Sequence, residues 1–166
     1  MQFLAHKKIV MLSMITTIIL GTIVMLFVDP LIDGGNGFDV IALQLSFDKA
    51  AAQEIVSSWD ISAFRKWIIM DYLYAMSYMI FFASLILWLE KRKGLAHGYV
   101  SIIALCAGIF DWIENSLELW FLQDTESFSA TLFFVHSLLA TLKWLALPIV
   151  FGTLIKLYRI DTKEIT

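Results

Sequence analysis

The stretch Asp111-Trp112-Ile113-Glu114-Asn115-Ser116-Leu117-Glu118 decides the fold, because it places ionisable side chains inside an apolar segment of membrane-spanning length. Residues three, four and seven apart share one face of a helix. One face here carries Asp111, Glu114, Asn115 and Glu118, preceded by the small residues Ala104, Ala107 and Gly108. The opposite face carries Ile109, Ile113, Leu117 and Trp120. The pattern predicts a helix that turns its acidic face into a bundle and its apolar face to lipid.

The composition is that of a membrane protein. The 166 residues are 60% hydrophobic and only 16% charged, with a mean hydropathy of +0.79. These values lie outside the averages of soluble domains. The net charge of −3 is too small to indicate a nucleic-acid partner. The single Cys106 cannot form an intramolecular disulfide.

Four apolar segments are long enough to cross a hydrocarbon core of about 30 Å. They cover residues 9–28, 67–89, 99–122 and 128–158. The sequence therefore predicts an all-α fold, an integral membrane four-helix bundle that forms a single transmembrane domain over residues 1–166. In the first span, Ser13, Thr17 and Gly21 recur every four residues and predict a close-packing stripe.

The segment 29–66 is the only long polar stretch, and it is predicted to be an outer loop. Its first half, residues 33–37, has the composition of a turn. Ser46 is predicted to cap a helix over residues 47–58. The predicted apolar stripe of that helix is Phe47, Ala51 and Ile55. These features predict an interfacial amphipathic helix in the first extracytoplasmic loop, with Trp59 at the lipid headgroups; a lid over the bundle is the functional alternative.

Basic residues predict the orientation, since cytoplasmic loops carry an excess of Lys and Arg. Eight fall on one side of the four-span topology: Lys7, Lys8, Lys91, Arg92, Lys93, Lys156, Arg159 and Lys163. Three fall on the other: Lys49, Arg65 and Lys66. The predicted location is a bacterial inner membrane with both termini in the cytoplasm.

Polar residues within the spans form the predicted site. The predicted ligand- or proton-binding residues are Asp71, Tyr74, Tyr78, Asp111, Glu114, Asn115, His136 and Lys143. Near mid-membrane, Asp111 and Lys143 are predicted to form an ion pair, because a lone charge there costs roughly 2.5 to 3.5 kcal/mol. Asp71, Asp111 and Glu114 still outnumber the single cation. At least one acid is therefore expected to be protonated, cation-bound or hydrated; the alternative is a satisfied hydrogen-bond network that fixes helix pairing.

Familiar catalytic and metal motifs are absent from the sequence: it has no HExxH, CxxC, GxSxG or phosphate-binding glycine loop. No catalytic residue, metal site or cofactor is predicted. Asp111 and Glu114 with His136 offer ligand types that suit a divalent cation, but oxygen pairs at this spacing are common. His6 and His97 flank spans and are interpreted as solvated.

Several short motifs together resemble a set of small four-span bacterial membrane proteins. They are Ser46-x-x-x-Ala50 to Trp59, Asp71 with Tyr74 and Tyr78, Asp111-x-x-Glu114-Asn115, and Lys143 in the last span. The resemblance covers most of the chain in order. It implies the four-span fold and implies no activity.

Three functions are compatible with this pattern. The first is an intramembrane acidic pocket that binds a small ligand, cation or proton, as in a transporter, channel or sensor. The second is a membrane-embedded enzyme that uses Asp71 or Glu114 as general acid/base on a lipid-like substrate. The third is an accessory or assembly subunit. The predicted partners are the lipid bilayer and a small amphiphilic or cationic ligand, with no nucleic acid; a second copy or a partner membrane subunit is left open.

Overall fold

The computed structural model describes residues 2–32, 38–95 and 98–159, and every regular element in these ranges is helical. Four helices are long and apolar enough to cross a membrane: Lys7–Ile32, Ile61–Arg92, Tyr99–Phe121 and Ala130–Arg159. The predicted spans are confirmed as helices. The second begins before its predicted start because polar residues continue the helix beyond the apolar run.

The elements follow one another in chain order. They are a 3-10 helix (Gln2–Ala5), α1 (Lys7–Ile23), a π-helical segment (Val24–Val28), α2 (Asp29–Ile32), α3 (Asp39–Leu45), α4 (Lys49–Val56), α5 (Ile61–Arg92), α6 (Tyr99–Phe121) and α7 (Ala130–Arg159). The π-helical segment joins α1 to α2 within one continuous span. Pro148 lies inside α7. The predicted turn at 33–37, His97 and Lys163 lie outside the described residues.

The long helices pack in chain order, with α1 on α5, α5 on α6 and α6 on α7, and glycines lie at two of these contacts. A Cβ added to Gly21 would lie 2.9 Å from Cε2 of Tyr74. A Cβ added to Gly108 would lie 2.6 Å from Cβ of Met79. Side chains can approach a helix this closely only where it carries a glycine, so the predicted close packing is confirmed at Gly21 and Gly108.

The two faces of α6 are as the sequence predicts. Its buried residues include Ala104, Ala107, Gly108, Asp111, Glu114, Asn115 and Glu118. On the opposite face, Ile109, Ile113 and Trp120 are exposed. The acidic face therefore points into the bundle, where α5 and α7 contact it.

Side chains outside the apolar runs fix two helix ends. Asp60 Oδ1 accepts hydrogen bonds from the amides of Ser62 and Ala63, each at 3.0 Å, and thereby caps α5. The backbone hydrogen bond from Ala63, with a smaller contribution from Ser62, holds the pKa of the Asp60 carboxyl below its ordinary value. At the end of α6, Arg65 Nη2 donates to the carbonyl of Leu122 at 3.0 Å.

Ser46, the predicted N-cap of the loop helix, does not cap it. Ser46 ends α3, a helix that was not predicted, and its hydroxyl donates to the carbonyl of Leu43 at 3.2 Å. Phe47 follows with a positive φ of 53°. The N-cap of α4 is Asp48, whose Oδ1 accepts from the Ala51 amide at 2.8 Å. The positive φ separates the two short helices, so the chain cannot continue one helix from Ser46.

The buried residues of α4 each lie one position after the residues of the predicted apolar stripe, Ala51 and Ile55. Ala52 and Val56 are buried, whereas Phe47 is 41% exposed. Gln53 Nε2 donates to the carbonyls of Thr125 and Glu126 at 2.9 and 2.8 Å, so α4 covers the end of the bundle where α6 and α7 are joined. Trp59 is buried in the hydrophobic core, and its predicted position at the headgroups stays a prediction. An interfacial position for α4 stays a prediction.

Candidate functional site

Lys143 is the centre of a buried polar cluster between α6 and α7. Its Nζ donates to Asp111 Oδ1 at 3.0 Å, which confirms the ion pair expected from the sequence. It also lies 2.8 Å from Glu114 Oε2, an ion-pair distance whose angles fall outside hydrogen-bond geometry. All three residues are buried, so one ammonium group serves two carboxylates that have little exposed surface.

Tyr78 completes the surroundings of Asp111. Its hydroxyl donates to Asp111 Oδ2 at 2.8 Å and lies 3.2 Å from the carbonyl of Ala107. Both oxygens of Asp111 are therefore occupied, one by Lys143 and one by the phenol. The ring of Tyr74 meets the Tyr78 ring edge-on, with 5.4 Å between centroids, and extends this face of α5 toward α1.

Asp71 and Asn115 form a second polar contact between α5 and α6. Asn115 Nδ2 donates to Asp71 Oδ2 at 2.7 Å. The amide is a neutral donor, so it satisfies a carboxylate oxygen without neutralising its charge. Asn115 is buried and Asp71 is half-buried.

Glu118 and His136 form a third contact, which sequence reasoning missed. Glu118 Oε1 lies 2.9 Å from His136 Nε2, and both side chains are buried. The His136 ring stacks on Phe133 with centroids 5.4 Å apart, and it meets Phe121 edge-on. The sequence places Glu118 on the acidic face of α6, but Glu118 is not among the predicted site residues. Its position seven residues after Asp111 was the signal that it shares the site.

A cavity of about 450 Å³ opens beside this cluster. The π-helical segment and α2 line one part of it, with mostly apolar residues beside Asp29, and α7 lines another part. Its polar floor consists of Asp71, Tyr74, Tyr78, Asp111, Asn115, Glu118 and Lys143. Its apolar walls include Val24, Met25, Val28, Leu147 and Phe151. The volume is within the range of about 300–1,000 Å³ that is typical of small-ligand pockets.

The rim of the cavity is fixed by a contact between α3 and α7. Trp144 Nε1 donates to Gln44 Oε1 at 2.9 Å, and both residues line the cavity. Gln44 is buried, so the unpredicted helix α3 supplies a polar partner for an indole on the cavity wall. A π-helical segment on the opposite wall is a local irregularity of the kind that is frequent at functional sites.

Six of the eight predicted site residues line this cavity: Asp71, Tyr74, Tyr78, Asp111, Asn115 and Lys143. The other two, Glu114 and His136, are fully buried behind its floor. The structure brings Glu114 and Glu118 close to His136. One potential ligand atom of each residue lies within 4.8 Å of those of the other two. The set considered from sequence has Asp111 in place of Glu118, and in the structure Asp111 is engaged by Tyr78 and Lys143.

The arrangement is chemically suited to positive charge. Asp71, Asp111, Glu114 and Glu118 supply carboxylates, whereas Lys143 is, among the residues that the structure describes, the only permanent cation in ion-pair contact with them. Such a surplus can be balanced by protons, by a bound cation or by a cationic group of a ligand. The same carboxyl groups can also accept or donate protons during a reaction.

Comparison with protein-family models, curated proteins and solved structures found no match. The function is therefore argued from the cavity and its polar floor.

Proposed function

We propose that the chain is an integral protein of a bacterial inner membrane, with both termini in the cytoplasm, and that its cavity binds a small ligand bearing a positive charge. Four helices of membrane-spanning length and apolarity support the location. Large apolar side chains on the outside of the bundle support it further, as Ile18 is 60% and Leu145 is 61% exposed. The excess of basic residues beside the termini supports the orientation.

The observation that carries the ligand proposal is the contrast between the floor and the walls of the cavity. The floor presents Asp71 and Glu118, while Lys143 is already held by two other acids. An ionised carboxylate has about four acceptor sites, so these floor groups can accept further donors. A ligand with an ammonium or similar donor group and a short apolar body fits both surfaces. This is the binding step of a small transporter, channel or sensor.

A second candidate is a membrane-embedded enzyme that acts on a lipid-like substrate. It is favoured by the exposure of the cavity walls, where Met25 is 69% and Phe151 is 49% exposed. An acyl chain can lie between these residues while its polar end reaches Asp71, which would act as general acid/base. The accessory-subunit alternative would be favoured by a polar helix face that points outward, toward another chain. The polar face of α6 is instead buried within this chain.

Binding of an alkyl ammonium ion tests the proposal. The full chain is placed in zwitterionic phosphatidylcholine nanodiscs and titrated with octylamine, which is cationic at neutral pH. Octanol and octanoate provide the same chain with a neutral and an anionic end. Trp59, Trp67 and Trp144 line the cavity, so their emission reports occupancy. We expect a saturable change with octylamine that octanol and octanoate do not reproduce.

Charge-removing variants locate the response. Asp71→Asn and Glu118→Gln should each weaken octylamine binding about tenfold or more, since one charged contact contributes roughly 1.5–3 kcal/mol. Glu54→Gln is the matched control, because Glu54 is exposed on α4 and lies outside the cavity. Equal responses to octylamine and octanol, or an equal loss in Glu54→Gln, would refute a charge-selective site.

A further inference from the structure

We propose that Glu114, Glu118 and His136 form a binding site for one divalent first-row metal ion, of which zinc is representative, directly behind the floor of the cavity. The site goes beyond the proposed ligand pocket and shares only Glu118 with it. Glu114 and Glu118 are one helical turn apart on α6, and His136 comes from α7. All three are buried, at 0%, 3% and 0% exposure respectively.

The donor atoms have the separation that a metal ion needs. One ligand atom from each residue lies within 4.8 Å of the other two. Zinc binds imidazole nitrogen and carboxylate oxygen at about 2.0–2.2 Å, which separates neighbouring donors by about 3.3 Å in a tetrahedron. Three donors this close together can share one ion. A set of one imidazole and two carboxylates suits zinc, manganese or ferrous iron.

An unpartnered oxygen provides an independent reason to place an ion here. Glu114 Oε1 is buried and makes no hydrogen bond within the described chain. The other oxygen of the same carboxylate, Oε2, lies 2.8 Å from Lys143 Nζ. Buried polar groups are almost always satisfied, because desolvation without a partner is costly. Lys143 thus engages one oxygen of Glu114 and leaves the second for another positive charge.

The charges of the cluster agree with a doubly positive ion. Asp111, Glu114 and Glu118 contribute three carboxylates, and Lys143 contributes one ammonium, so two negative charges remain when all are ionised. A divalent ion balances these charges. His136 then has to be neutral, with its Nε2 lone pair on the metal and its proton on Nδ1.

Glu118 connects this site to the cavity, since it is the one of the three ligands that lines it. A metal held by three protein ligands keeps a fourth position open, which is the arrangement of catalytic rather than structural zinc sites. That position would accept water or an oxygen atom of a ligand in the cavity.

Metal binding is tested on the full chain after removal of any affinity tag. The protein is dialysed against Zn²⁺ or Co²⁺, and bound metal is measured by elemental analysis and by titration calorimetry. We expect one ion per chain. X-ray absorption at the zinc edge should show one imidazole with oxygen or nitrogen donors only, and this measurement needs no variant. Zinc bound through sulfur, or no bound zinc, would overturn the proposal.

Variants separate the metal site from the ligand pocket. Glu118→Gln and His136→Gln should weaken zinc binding at least about 100-fold, because even supporting partners of metal ligands are worth 10–100-fold. Asp71→Asn should leave zinc binding unchanged while it weakens octylamine binding. Glu90→Gln controls for loss of a buried carboxylate, as Glu90 is buried near Gly98 and away from the three ligands. Unaltered zinc affinity in Glu118→Gln would overturn the metal site, whether or not this variant changes octylamine binding.

Discussion

Glu114 Oε2 lies 2.8 Å from Lys143 Nζ, in the buried interface between α6 and α7. The same ammonium donates to Asp111, so Lys143 balances two acids at once. A charge buried without its partner is strongly destabilising, whereas removing both partners of a pair can be nearly neutral. The central cluster is thus a coupled unit in which the loss of one member changes the balance for the others.

The first prediction concerns this coupling. Lys143→Met should lower the free energy of unfolding by about 3–5 kcal/mol, because it leaves two carboxylates without their cation. Adding Asp111→Asn to Lys143→Met should recover part of the loss. Thermal or denaturant unfolding of the single and double variants in detergent measures the cycle. Lys156→Met is the control, since Lys156 is exposed in the last turns of α7. Additive losses would show that the two groups are not coupled.

The second prediction concerns the contact of α5 with α6. Gly108→Ala should destabilise the chain by about 1–3 kcal/mol, as overpacking does in other tight interfaces, because the new Cβ would lie 2.6 Å from Cβ of Met79. Gly152→Ala is the matched control within α7, where an added Cβ meets nothing within 4 Å. Unfolding of the two variants under the same conditions checks the difference. A Gly108→Ala variant as stable as Gly152→Ala would contradict the close packing.

Much of the helical framework could be predicted because membrane spans follow from local composition. The apolar runs and the acidic face of α6 are properties of consecutive residues, and both agree with the structure. The Asp111 and Lys143 pair could also be anticipated, since two opposite charges at similar depth in an apolar bundle favour one another.

The remaining features depend on contacts between distant segments. No local pattern indicates that α3 supplies Gln44 to Trp144, because this hydrogen bond joins residues far apart in the chain. Asp48 displaces Ser46 as a cap because Phe47 adopts a positive φ. Pairing of Glu118 with His136 requires the rotation of α7 against α6, which periodicity alone does not fix. Contacts of this kind determine which acids pair with Lys143 and which line the cavity.

The third prediction is topological. Reporter fusions placed after Ser58 and after Lys93 should report opposite sides of the membrane, because one helix of spanning length, α5, separates these positions. The fusion after Lys93 should report the cytoplasm, in agreement with the basic residues there. Fusions after Ser58 and Lys93 that report the same side would exclude the four-span topology.

The fourth prediction concerns pH at the start of α5. The pKa of Asp60 is lowered in the folded chain, so its contribution to stability is complete above the ordinary value of 3.8 and is lost as pH falls through the lower folded value. Amide exchange at Ser62 and Ala63, corrected for intrinsic rates, should therefore lose protection below that range. Asp60→Asn should keep the cap and abolish the pH dependence, since Asn also caps helices. The same pH dependence in Asp60→Asn would assign it to another group.

The central claim, that a cationic ligand occupies the cavity between the π-helical segment and α7, is tested most directly by photolabelling. An alkylamine carrying a diazirine in its chain is irradiated with the full chain in nanodiscs, and labelled residues are identified by mass spectrometry. We predict labels on the apolar walls, at Met25 and Phe151, that unlabelled octylamine suppresses and Asp71→Asn reduces. Labels confined to exposed residues outside the cavity, such as Leu12 and Leu145, and unaffected by either treatment, would contradict the account.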